Sequence, residues 1–139
     1  MGQRELFVRR FDMCHFSIEG LLSAHAVDTS APAADGGPGQ FGSLVYIPVN
    51  LCVGDFRLVR AAPGTSGTTT VEMYRLRTGV WSLLATLSVS GTSAMATSNI
   101  SMGGQDPLST LVGGDILMAR LRAIESGSPR GLTASVEFR

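Results

Sequence analysis

From position 132 to position 138 every second residue is apolar: Leu132, Ala134, Val136 and Phe138 alternate with Thr133, Ser135 and Glu137. Only an extended chain gathers such residues on one face, because successive side chains of a strand point to opposite sides. The same period runs through residues 81–90, where Trp81, Leu83, Ala85, Leu87 and Val89 are set against Ser82, Thr86, Ser88 and Ser90. It recurs in residues 68–75, with Thr69, Val71 and Met73 opposite Thr70, Glu72 and Tyr74. The chain is therefore expected to be all-β, built of antiparallel strands that each keep one wet face.

Turn residues punctuate these runs. Two Gly-Asp steps, Gly54-Asp55 and Gly114-Asp115, each are expected to turn the chain into a strand, over residues 56–60 and 116–122. Thr78-Gly79 supplies a left-handed turn position for a hairpin between the runs at 68–75 and 81–90. Residues 125–131 read as the loop of a second hairpin, joining 116–122 to 132–138. Residues 115–124 also admit a helical reading, because Leu117, Leu121 and Ile124 nearly form a stripe. Pro48, in the run 44–50, points to an edge or a bulge.

Ahead of this body, residues 5–13 (Leu6, Phe7, Val8, Phe11 and Met13 apolar, Arg9, Arg10 and Asp12 charged) fit neither period and read as an arm. Residues 15–22 read as a short strand or turn. Residues 28–42 form a loop rich in Pro and Gly, longer than compact domains keep without a use for it. The organisation read from the sequence is an N-terminal arm and loop over residues 1–42 and a sandwich core over residues 43–139.

At 139 residues the chain is one domain's worth. Its 44% apolar and 16% charged content is that of a globular chain, and 17 glycines suit many turns. Zero formal net charge argues against a nucleic-acid ligand, whose phosphates demand a cationic surplus. All basic residues are Arg, which removes Schiff-base and P-loop lysine chemistry and suits forked contacts at interfaces, although a codon bias toward Arg explains it better. No stretch reaches the length of a signal peptide's apolar core or of a membrane span, so a soluble protein made in the cytoplasm is expected. Gly2 does not open a myristoylation motif, because Leu6 stands where Ser or Thr is wanted.

Candidate chemistry is sparse. Cys14, His15, His25 and Cys52 could on paper hold a metal, but adjacent strand residues point apart, so none is expected. Cys14 with His25 as its base lacks any feature that brings the two together. Each Gly-Asp step offers one carboxylate where calcium needs several oxygens. Trp81 and Tyr74 flank the first hairpin and could hold a sugar, although the alternation places Trp81 in the core. Neither a cofactor nor a metal is implied.

Two resemblances add to this. Residues 26–31, Ala-Val-Asp-Thr-Ser-Ala, resemble the Asp-Thr-Gly loop of retropepsin-like aspartic proteases, and Leu111-Val112-Gly113-Gly114-Asp115-Ile116-Leu117 resembles their hydrophobic-hydrophobic-Gly segment. That likeness implies Asp28, with Thr29 beside it, as the carboxylate of a homodimeric protease. Ser30 departs from it by replacing the family's glycine, and the Pro/Gly-rich sequence that follows departs from the family's aliphatic strand; a bland turn capped by Asp28 or Thr29 accounts for the segment. More of the chain, residues 51–138, resembles the accessory β-sandwich domains of tailed-phage virions, through residues 54–64 (Gly-Asp-Phe-Arg-Leu-Val-Arg-Ala-Ala-Pro-Gly), 69–75, 114–117 and 131–138.

The phage resemblance implies a jelly-roll or related sandwich and a place in the virion. Of the roles such proteins fill, head decoration fits a short self-contained chain with an arm and a loop able to lie across a neighbour; tail-fibre, baseplate and receptor-binding modules are the alternatives. The expected function is non-enzymatic: a homodimer or homotrimer bound to the major capsid protein on the outside of a phage capsid, assembled in the host cytoplasm, stabilising subunit junctions, with no membrane partner. Leu6, Phe7, Arg9, Arg10, Phe11, Pro32, Pro38 and Phe41 are the candidate contact residues.

Overall fold

The computed structural model describes residues 13–27, 37, 39–91, 96–101 and 110–138. Within them the strands are β1 (Met13–Leu21), β2 (Gln40–Tyr46), β3 (Leu51–Ala62), β4 (Thr68–Arg77), β5 (Val80–Ser90), β6 (Ala96–Ser101), β7 (Thr110–Leu111), β8 (Ile116–Ala123) and β9 (Arg130–Phe138). A single 3₁₀ turn, Leu22–Ala24, follows β1. The arm residues Leu6, Phe7, Arg9, Arg10 and Phe11, the loop residues Asp28, Thr29 and Pro32, and Pro38 lie outside the described residues.

Two antiparallel sheets face each other. The first has the order β1-β9-β3-β6, with β7 added beside β3, and the second the order β2-β8-β4-β5. Consecutive strands alternate between sheets at nearly every step; only β4 and β5 are neighbours both in sequence and in a sheet. Two antiparallel sheets interlocked in this way are a jelly roll. The core lies between them. Cys14, Phe16 and Ile18 of β1, Leu132, Ala134, Val136 and Phe138 of β9, and Val53, Phe56 and Leu58 of β3 meet Leu117, Ala119 and Leu121 of β8, Val71 and Met73 of β4, and Ala85, Leu87 and Val89 of β5.

The alternation of 132–138 and of 68–73 thus becomes the inner face as expected, and Thr78 and Gly79, both at positive φ, form the tight turn between Arg77 and Val80. The segment after the second Gly-Asp step is strand β8, as expected, and not the helix it also admitted; Leu117 through Leu121 are buried on both faces, which erases the period. Four features differ from the sequence reading. Gly54-Asp55 is not a turn but lies inside β3, where the register slips between Val53 and Phe56; the extra residue lets both face inward.

A similar bulge separates Met73 and Tyr74, which pair with Ala85 and Leu83. Leu84 is the extra residue, and it takes the inward position that alternation assigns to Leu83, which is 42% exposed. The second hairpin does not exist. β8 pairs with β2 and β4 while β9 pairs with β1 and β3, so residues 124–129 cross between sheets. That crossing is stitched to the β3–β4 connection by Thr65 N–H to the Ser126 carbonyl and Ser126 N–H to the Ser66 carbonyl, both 2.8 Å. Gly64 sits so close to it that an added Cβ would overlap the Ser126 carbonyl oxygen. Finally, β1 and the start of β2 belong to the sandwich, so the division at residue 42 falls within β2.

Candidate contact face on the second sheet

Charged groups are placed first as fasteners of the sandwich. Arg60 of β3 and Glu125 beyond β8 are both buried and form a forked pair, Nε to Oε1 at 2.6 Å and Nη2 to Oε2 at 3.0 Å. Thr69 of β4 donates its hydroxyl to Glu125 Oε1 at 3.0 Å and accepts the Glu125 N–H at 3.1 Å, while Arg60 Nη2 also donates to the Gly91 carbonyl at 3.1 Å. At the β7–β8 turn, Arg77 donates to both oxygens of Asp115, at 2.9 and 2.7 Å, and Asp115 Oδ2 accepts the Val112 N–H at 2.8 Å. Arg77, followed by the Val112 N–H, holds the Asp115 carboxyl below the usual carboxylate range against the opposing effect of burial. These carboxylates are thus structural.

Cys14 and His15 do point apart: the thiol is buried, and burial pushes it up to about 12, while His15 is exposed. Among the described residues no group of three or more His, Cys, Asp or Glu is placed to hold a metal.

The two outer faces differ in kind. On the first sheet the outward residues are mostly polar, with Met13 and Val59 the apolar exceptions: Ser17 and Thr133 hydroxyls lie 3.4 Å apart, and exposed Arg57 lies 3.6 Å from Asp55 and 3.8 Å from Glu137. On the second, register joins one outward residue of each strand into a row across the whole sheet, Tyr46 to Ile116 to Leu76 to Trp81. The adjoining row holds Met118 and Tyr74, both already buried, and the exposed Leu83, and β2 also exposes Leu44. Tyr46 is 62% and Leu44 45% exposed. Beyond them the face turns polar. Glu72 accepts from the Tyr74 hydroxyl and from Arg122 Nε, each at 2.9 Å, and the Arg120 guanidinium lies 5.6 Å from the centroid of the Tyr74 ring.

Phe41 needs correction as a contact residue. It is 2% exposed and packs in the core, its ring edge-on to His25 at 6.5 Å, because β2 aims it inward toward the facing sheet. Trp81, assigned to the core by alternation, is half-buried on the outer face because the Leu84 bulge reverses the phase of β5 ahead of it. The sequence reading missed Leu44, Tyr46, Leu76 and Ile116 as surface residues; only the pairing register shows that they lie side by side.

No protein-family model matches the chain. No curated protein matches it. Among solved structures, the Eiger TNF of S. frugiperda superposes with a TM-score of 0.45 at 15% identity, covering 91% of this chain and 92% of that one. A virus-like particle of the extra small virus of the giant freshwater prawn Macrobrachium rosenbergii gives a TM-score of 0.32 at 13% identity, covering 91% of this chain and 76% of that one. Neither likeness bears on what the chain does. No helix among the described residues is long and apolar enough to cross a membrane.

Proposed function

We propose that this jelly roll is a non-enzymatic virion protein that binds the outside of a phage capsid as a homo-oligomer and stabilises the junctions between capsid subunits. The observation that supports the reading is the asymmetry of the sandwich: one outer face is wet, and the other carries an apolar band that crosses all four strands. An apolar band rimmed by polar residues marks a protein contact. Tyr46, Ile116, Leu76 and Trp81 supply its buried centre on docking, and Glu72 and Arg122 its polar margin, the usual division of a stable interface.

Adhesion of this kind works by number. Each contact is modest, and repetition over a symmetric shell multiplies it once the protein is itself an oligomer. Added to empty capsids that lack it, the purified protein raises the temperature at which the shells come apart. Shells that fail at the same temperature with and without saturating protein contradict the reading.

A further inference from the structure

β5 closes one side of the second sheet, and among the described residues it pairs with β4 alone. Across its 11 residues, Val-Trp-Ser-Leu-Leu-Ala-Thr-Leu-Ser-Val-Ser, it has no charged side chain and no proline. Such an edge is unguarded, because its free row of N–H and C=O groups is a template for another strand, and natural edges are blunted by charge, proline, brevity or irregularity. Two other edges of this molecule are blunted. β1 carries Glu19 and a register shift between Ile18 and Leu21, and β2 is short and irregular between Phe41 and Val45. The one irregularity of β5, at Leu84, leaves the stretch 85–90 in unbroken register with β4.

We propose that residues 86–90 of β5 pair antiparallel with the same residues of a second copy of this chain, about a two-fold axis perpendicular to the sheet at Ser88. The absence of charge identifies the partner. An isologous contact sets a strand against itself, so any ionised residue near the axis would face its own like charge, a destabilising cross-strand pair. A foreign strand imposes no such restriction, and β5 meets it over its entire length. Zero net charge on the chain leaves no long-range repulsion between copies. The exposed hydroxyls of Thr86, Ser88 and Ser90 then meet across the axis, as Thr70 and Ser88 already do at 3.1 Å within one copy.

A perpendicular two-fold keeps outer residues outer. The joined eight-stranded sheet therefore carries both apolar bands on the same side, and the dimer is bivalent toward whatever that side binds. The inference rests on the homo-oligomeric part of the proposed function and adds to it the strand and the symmetry.

Sedimentation analysis of the wild type, of Ser88→Lys and of Thr86→Lys tests it, with circular dichroism to establish that each variant is folded. Both sites are exposed, so two variants guard against one failing to fold. The expected result is a wild-type dimer and a monomer for each folded lysine variant, with Tyr46→Ser still dimeric. A monomeric or trimeric wild type, or a folded lysine variant that remains dimeric, overturns the pairing. A dimer that leaves capsids unaffected upholds the pairing and sinks the capsid reading alone, so the two failures are distinguishable.

Discussion

Arg60 and Glu125, 65 positions apart in sequence, meet in the interior at 2.6 Å and tie a strand of the first sheet to the chain leaving the second. Thr69 brings in a third element. A buried pair is weak evidence for net stability, but one partner without the other leaves an uncompensated charge. Arg60→Met is therefore expected to cost about 3–5 kcal/mol. Adding Glu125→Gln should recover part of that loss, since residues in one network are not additive. Urea titrations of the two variants and the wild type check both values.

Acid should loosen the β7–β8 turn. Arg77 lowers the folded-state pKa of Asp115 below its ordinary value near 3.8. The ion pair's contribution is thus present above that value and is lost as pH falls through the lower, folded-state pKa. Asp115→Asn should be less stable than wild type at neutral pH and should lose less on acidification. Melting temperatures of both proteins from pH 7 down to pH 2 give the comparison.

Alkali acts through Cys14 with the opposite sign. Its thiol titrates near 9.0 when unfolded and is pushed to about 12 by burial, so deprotonation favours the unfolded chain across that interval. Stability is expected to fall between pH 9 and pH 12, and Cys14→Ala should flatten the decline while lowering stability at neutral pH. Denaturant midpoints at the two ends of the interval measure it.

The bulges make a sharper claim about burial. Phe41→Ala should cost about 3–5 kcal/mol, as for a filled core position. Leu83→Ser, at a position that simple alternation puts inside, should cost only about 0.5 kcal/mol, as surface changes do. Chemical denaturation of both variants ranks them.

How much of this was legible depended on whether a strand keeps one phase. The run ending at Phe138 does, and it shows in the residues alone, as does the Thr78-Gly79 turn. Leu84 and the Gly54-Asp55 step each insert one residue, which reverses every assignment on one side of them without changing composition. The crossing at residues 124–129 looks like a hairpin loop because turn residues say that the chain bends, not which sheet it joins next. β8 was ambiguous because burial on both faces hides its period. The apolar band was illegible for a related reason: Tyr46, Leu76, Trp81 and Ile116 become neighbours only through register. Of the expected contact residues on the arm and the loop at 28–42, all but Phe41 lie outside the described residues.

Binding of Tyr46→Asp to capsids, measured by co-sedimentation beside the wild type and with matched circular dichroism spectra, tests the central claim most directly. Tyr46 is exposed, so the variant should fold. The account predicts that the wild type pellets with the particles and that the variant stays in the supernatant. A wild type that does not pellet, or a variant that pellets equally well, contradicts it.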